Sequence, residues 1–312
     1  MNQVGISSIW ICKSNISASR SQYRPPYLSH MNNQFAYPPT SDGKPFRLSM
    51  GLRELDPANW IEGGSDLVDQ LTDRGKILIE NRNQVVQIQP GHNVAIDYFV
   101  SKIVENLAKF HPQYEVSDSK ITHLESKITV DLAEDNPLVQ LSRVIAEDLC
   151  LLQFKNDAWQ LVAAVVIFPS RWNLLEKIGK NLDQIHTPVP GYNQALQPFM
   201  TDTFNKIKPD RPVWRKNWSL HETSLLHEPV YKSSPASVEN YWWRTERQTL
   251  TALENGKYIL FTIRNRSEPF KWIKSDPVAA EQFAKTLATL SPEMLQYKHL
   301  VEKREEFISY LN

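Results

Sequence analysis

The side chains through which this chain could do metal or acid–base chemistry are few, and one of them has an unusually constrained setting. His186 stands in Ile185-His186-Thr187-Pro188-Val189-Pro190-Gly191-Tyr192-Asn193, where two prolines and a glycine fix the backbone just behind it. An imidazole held with so little freedom suits a metal ligand or a general base. The other histidines are less well placed. His92 and His111, the latter beside Pro112, read as capping or surface residues, while His221 and His227 fall in a loop-like segment. Cys12 and Cys150 are the only cysteines, too few and too scattered for a disulfide framework, a structural zinc or an iron–sulfur cluster. Cys150 reads as a small buried side chain in an apolar helical pattern.

The elements that must position these groups follow from periodicity. Leu161 to Phe168 is apolar, rich in Val and Ile and free of charge, which predicts a buried strand. Pro169 stops it, and Ser170 is expected to cap a short helix from Arg171 to Ile178, closed by Gly179. Beyond His186, the apolar positions Leu196, Phe199, Met200, Phe204 and Ile207 recur at helical spacing. Strands are expected around Trp214 to Leu220 and Asn240 to Leu250. The second turns through Glu254-Asn255-Gly256 into Lys257 to Ile263, and Asn-Gly between alternating runs signals a hairpin. Two helices, Pro277 to Leu290 and Pro292 to Tyr310, close the chain.

Upstream, a helix from Asp66 to Arg74 should end before Gly75, and Lys76 to Glu80 should pair with Val85 to Ile88 as a β-hairpin. Ile96, Phe99, Val100, Ile103 and Leu107 mark an amphipathic helix ending near His111. Ile121 to Leu132 alternates as a strand with His123 toward solvent. Pro137 should start a helix with the stripe Leu138, Leu141, Ile145, Leu149 and Leu152, which would leave Glu147 and Asp148 exposed. Antiparallel strands with helices between and after them make an α+β fold.

Bulk composition excludes some partners. Lys plus Arg and Asp plus Glu are each 35 among 312 residues, so the formal net charge is zero and no basic block invites nucleic acid. No apolar run approaches the roughly 18 residues of a membrane span, and a cytoplasmic location is expected. None of the ten glycines falls in a GxGxxG or GxxxxGK[ST] pattern, so the usual NAD, FAD and ATP loops are not present. Residues 1–41 hold no Asp or Glu, while Lys13, Arg20 and Arg24 are basic. Residues 1–45 read as a disordered or mis-assigned tail, with Met31 as a second possible start. An organellar presequence in residues 1–30 is the alternative. Residues 46–312 read as one domain.

Several separated pieces carry a family resemblance: FRLSMGL at 46–52, AEDLCLL at 146–152, FPSRW at 168–172, EKIG at 176–179, IHTPVPGYN at 185–193, RKNW at 215–218, RTERQTL at 244–250 and LFTIR at 260–264. Together they make the chain resemble the heme-dependent oxidative N-demethylase family. The resemblance implies a heme-binding, PAS-like antiparallel sheet with flanking helices. It also implies oxidation of a small secondary or tertiary N-methyl amine by dioxygen, with release of formaldehyde. Electrons would come from a separate flavin or iron–sulfur reductase. It raises the standing of Glu147 and Asp148 as partners of a core-facing arginine.

Heme iron needs an axial ligand, and the resemblance assigns it to His186. The C-x-x-C-H pattern is missing, so the cofactor expected is non-covalent heme b. Its propionates call for arginines. Arg244 and Arg247 are three apart on a predicted strand and must point to opposite faces. Arg247 is expected to face the pocket, with a catalytic or propionate-binding role, because it opens the RQTL piece; Arg244, Lys177, Arg215 and Arg264 rank behind it. Tyr192, Asn193, Trp172 and Trp218 are expected to line the cavity, Tyr192 close to the chemistry. A PAS-like heme sensor or binding protein without turnover, and a structural protein without heme, are the rival readings.

Overall fold

In a computed structural model, residues 34–39, 46–254 and 256–312 are described. The first half runs β1 (Arg53–Glu54), α1 (Leu67–Glu80), α2 (Arg82–Val85), β2 (Val86–Ile88), α3 (Asn93–Phe110), β3 (Tyr114–Ser117), β4 (Lys120–His123), β5 (Ile128–Asp131) and α4 (Pro137–Ser142). Then come β6 (Glu147–Lys155), β7 (Ala158–Val165), α5 (Leu182–His186), α6 (Tyr192–Ala195), α7 (Gln197–Asn205) and β8 (Val213–His221). β9 (Trp242–Ala252), β10 (Tyr258–Pro269), α8 (Pro277–Ala288), α9 (Pro292–Tyr297) and α10 (Arg304–Leu311) complete the order. Seven strands form one antiparallel sheet in the order β1-β8-β9-β10-β6-β7-β2, and β3-β4-β5 form a small second one. This is the expected α+β class: a large antiparallel sheet with flanking helices.

Antiparallel partners point their side chains the same way, so the register divides the large sheet into two faces. On the front, Cys150, Leu152, Leu161, Ala164 and Leu250 pack under α5, α6 and α7 through Leu182, Tyr192, Met200 and Phe204. On the back, Leu149, Leu151, Ala163 and Val165 meet α1, α3 and α4. Leu220 and Trp243, also on the back, meet α8, α9 and α10 through Phe283, Leu287, Leu295 and Phe307. Residues 34–39, inside the stretch expected as tail, are packed too: Phe35 and Tyr37 are buried, Phe35 against Trp243 and Trp272. The start-site and presequence readings of residues 1–30 and Met31, and Asn255 of the predicted hairpin turn, lie outside the described residues.

Several expectations are corrected. Lys76 to Glu80 is not a strand; α1 runs through Gly75 to Glu80. Leu67, Leu71, Arg74 and Leu78 form one buried stripe, and a mid-helix glycine costs only about 1 kcal/mol, less than that stripe gains. The helix begun at Pro137 ends at Ser142, and the AEDLCLL segment is the central strand β6. Being covered on both faces, β6 shows no alternation, and a short continuous apolar run is indistinguishable from a helix by period alone. Glu147 and Asp148 are therefore buried. Asp148 pairs with Arg74 at 2.9 Å and accepts the amides of Ile167 and Phe168, the structural role the resemblance implied.

Ile121 to Leu132 splits into the hairpin β4–β5, and His123 is buried beside Tyr114 rather than turned to solvent. The helix expected from Arg171 shrinks to a single 3-10 turn at Leu174–Glu176, capped by Asn173. The last predicted helix breaks into α9 and α10, with His299 at φ 56° between them. No helix of the described residues is long and apolar enough to cross a membrane.

Candidate functional site on the front face of the sheet

The segment that carries His186 is built by local rules. Asn181 and Gln184 form a reciprocal capping box that starts α5. His186 is its last helical residue, and Pro188 follows two positions later, where a helix cannot continue. Gly191 takes φ 75°, the left-handed turn that lets the chain re-enter as α6 with Tyr192 at its first position. The result places Tyr192 flat against the His186 ring, with centroids 5.2 Å apart and planes inclined by 13°. The Tyr192 hydroxyl donates to Asp183 at 2.6 Å, which fixes the stack from the other side. Burial, reinforced by that bond to Asp183, raises the Tyr192 phenol and keeps it protonated.

His186 Nδ1 lies 2.7 Å from the carbonyl oxygen of Leu182. A carbonyl only accepts, so Nδ1 carries the proton and Nε2 keeps its lone pair. No partner for Nε2 occurs among the described residues. Burial holds the imidazole below its ordinary pKa; the Leu182 bond opposes that, and the nearby charges of Arg215 and Lys177 reinforce it. The ring is thus neutral and oriented, the state a metal ligand requires.

Arg215, on β8, is one of the charged groups that share this side of the molecule and act on His186. The pairs Arg215↔Gln248 and Gln248↔Ile263 form one cross-strand row on the front face. Asn217, Glu246 and Asn265 form the next, and Ser219, Arg244 and Ser267 the one after. The Arg215 guanidinium makes no hydrogen bond or ion pair to any described residue, and its Nε is buried without a partner. Burial works against its charge and Glu246, one row away, only partly compensates. A largely buried, unpaired arginine is costly unless an anion completes it.

The remaining predicted site residues disperse. Arg247 faces the back, not the pocket. It is buried, its Nε pairs with Glu62 at 3.0 Å, and its other nitrogens donate to the carbonyls of Asn59 and Trp60. Arg244 does face the front, yet it is consumed by the carbonyls of Phe168 and Leu226 and by Asn265. Alternation holds, but the choice between the two arginines is inverted. Trp218 is also on the back, stacked on Trp243 at 5.4 Å. Asn193 is exposed on α6. Trp172 packs half-buried at the rim of the front cluster. Lys177 donates to Ile185 at 3.3 Å beside His186, and Arg264 pairs with Asp66 on the back. Glu246 escaped sequence reasoning; the cross-strand pairing with Asn217 would have exposed it.

A heme requires one axial base, a cationic partner for its propionates and apolar walls. His186 Nε2 and the unpartnered Arg215 are donors of the right chemistry, and half-buried Ile185, Val189 and Phe261 line the front cluster beside them. No group of three or more His, Cys, Asp or Glu able to hold a metal occurs among the described residues, and a heme asks for none. Residues 51–308 match the family model described as "Haem-dependent oxidative N-demethylase, alpha subunit-like", and the chain belongs to that family.

Proposed function

We propose that this member of the heme-dependent oxidative N-demethylase family binds heme b on the front face of its sheet and oxidatively removes a methyl group from a small secondary or tertiary amine. The observation that carries the reading is His186: neutral, oriented through Leu182, with Nε2 free and an unpartnered Arg215 within electrostatic reach. In this reading His186 Nε2 holds the iron and Arg215 pairs with a propionate. Tyr192 steadies the imidazole by stacking, its hydroxyl keeping its proton and donating a hydrogen bond to Asp183. Heme, when bound, supplies the reductive activation of dioxygen and the oxidation of the N-methyl group, from which formaldehyde follows. The protein's part is to orient the axial base, neutralise the carboxylates and keep the site dry through its apolar lining. Without a nucleotide loop or cysteine cluster in the sequence, electrons come from a separate flavin or iron–sulfur reductase. The five central strands β6 to β10, taken in chain order, lie side by side as 2-1-5-4-3 with α5 to α7 inserted between the second and third. That arrangement supports the PAS-like reading.

Purified protein supplied with hemin should give a Soret band whose chromophore acid–acetone extracts, and His186→Ala should change the spectrum. An unchanged spectrum in that variant would sink the ligand assignment. Reduced in air with dimethylamine, the loaded protein should release formaldehyde above the free-heme background. A stable ferrous–oxygen spectrum with no product would favour a sensor instead.

A further inference from the structure

We infer that Glu246 is the anchor for a protonated amine, so the site selects ammonium ions that carry at least one N–H. Glu246 sits in the front-face row next to Arg215, between Asn217 on β8 and Asn265 on β10. Its Oε2 accepts from Gln248 Nε2 at 2.9 Å and from Asn217 Nδ2 at 3.5 Å. These two amides fix the carboxylate without neutralising it. Oε1 has no hydrogen-bond partner among the described residues, and no ion pair forms to Glu246 there.

The cations around it are spent elsewhere. Arg244 is bound to two backbone carbonyls and Asn265. Lys298 donates to the Trp218 carbonyl at 2.9 Å and lies 4.0 Å from the Trp218 ring centre. Arg215 shares the face with Glu246 and feels its charge, yet the two do not join. A half-buried carboxylate and a largely buried guanidinium, one row apart and unpaired, each await a partner of opposite sign. A heme propionate satisfies the arginine. What satisfies the carboxylate is a small cation, and a hydrogen-bonded one is favoured because charge-assisted N–H···O bonds are the strong ones. Small alkylamines are cations at neutral pH, so the substrate reaches the site in the form Glu246 recognises. A quaternary ammonium, with no N–H, does not complete the carboxylate. The inference uses the demethylase reading only for what happens to the amine after it binds.

The test is a binding measurement on the full chain, by saturation-transfer NMR at neutral pH. Dimethylammonium should bind the wild type about tenfold or more tighter than its uncharged isostere dimethyl ether, the worth of one charge-assisted bond. It should also outbind tetramethylammonium. Glu246→Gln should remove the preference for charge, and Glu246→Asp, which keeps the charge but withdraws it, should retain part of it. Equal binding of dimethylammonium and dimethyl ether by the wild type overturns the inference whether or not the variants fold, as does an unchanged preference in Glu246→Gln. A charge preference without any heme complex leaves Glu246 as the anchor and removes the demethylase reading. A heme complex with turnover but no charge preference does the reverse.

Discussion

Two arginines on neighbouring strands show how the same side chain does different work according to what completes it. Arg247 is completed by the protein: Glu62 and two carbonyls surround it, and it lies 5.5 Å from the Trp214 ring centre. Arg247→Ala takes from the buried Glu62 carboxylate its closest cation and leaves it with the Tyr37 hydroxyl and Arg266 at 3.6 Å, so urea unfolding should show a loss of about 3–5 kcal/mol. Arg215 is completed by no described residue. Arg215→Ala removes an unpaired, desolvated cation, so stability should stay within about 1 kcal/mol of wild type or rise. Its cost should appear instead as a faster loss of heme to an acceptor protein such as apomyoglobin. A variant that unfolds early but keeps its heme off-rate would reassign Arg215 to the scaffold. Local sequence could not show that Arg247 turns to the back of the sheet, because a motif marks a strand, not which way each of its side chains faces.

At the level of elements, the setting of His186 depends on a five-residue helix too short to stand alone. Its capping box does the nucleating, and Asn181→Ala should cost about 1 kcal/mol. Hydrogen exchange should quicken at Ile185 and His186 while β9 and β10 stay protected; uniform acceleration would mean that α5 is not an independent unit. The proline-fixed turn after His186 and the β9–β10 hairpin were legible because turn residues act locally. So were α3, α7 and α8, whose apolar stripes have one buried side. β6 was not legible, since a strand buried on both faces loses the alternation that would identify it. Nor was the second half of α1, where Gly75 and the β-branched Ile77 and Ile79 imitate a strand start. The candidate site divides the same way: the constrained setting of His186 is visible in its neighbours and Arg215 stands in the sequence only as a minor candidate, while the front-face juxtaposition of Arg215 and Glu246 emerges only once β8 and β9 are paired in register.

Across the whole molecule, both faces of the sheet carry helices, and the back is covered with charge as well as with apolar surface. Segment 34–39 crosses that back face. Ala36 donates to Glu268 at 3.0 Å, Trp243 Nε1 donates to the Tyr37 carbonyl at 2.8 Å, and the Tyr37 hydroxyl donates to Glu62. Burial pushes Glu268 up to about 7, against the opposing pull of the Ala36 amide and Arg266, and its Oε2 has no partner among the described residues. Unfolded, the carboxyl titrates at its ordinary value near 4.5. Between these values the folded chain holds a proton that the unfolded chain has lost, so stability must fall as pH rises through the window. The contribution is fully present below about pH 4.5 and gone above about pH 7, on the order of 3 kcal/mol in all. Glu268→Gln mimics the neutral form and should abolish this component. The comparison is therefore the stability difference, variant minus wild type, from urea unfolding at pH 5 and pH 8. It should be larger at pH 8 by a few kcal/mol, and proteolysis near residues 34–39 should quicken at pH 8 in the wild type alone. A difference that does not change between the two pH values would mean that Glu268 is ionised throughout, held by Arg266 and the Ala36 amide more firmly than burial opposes.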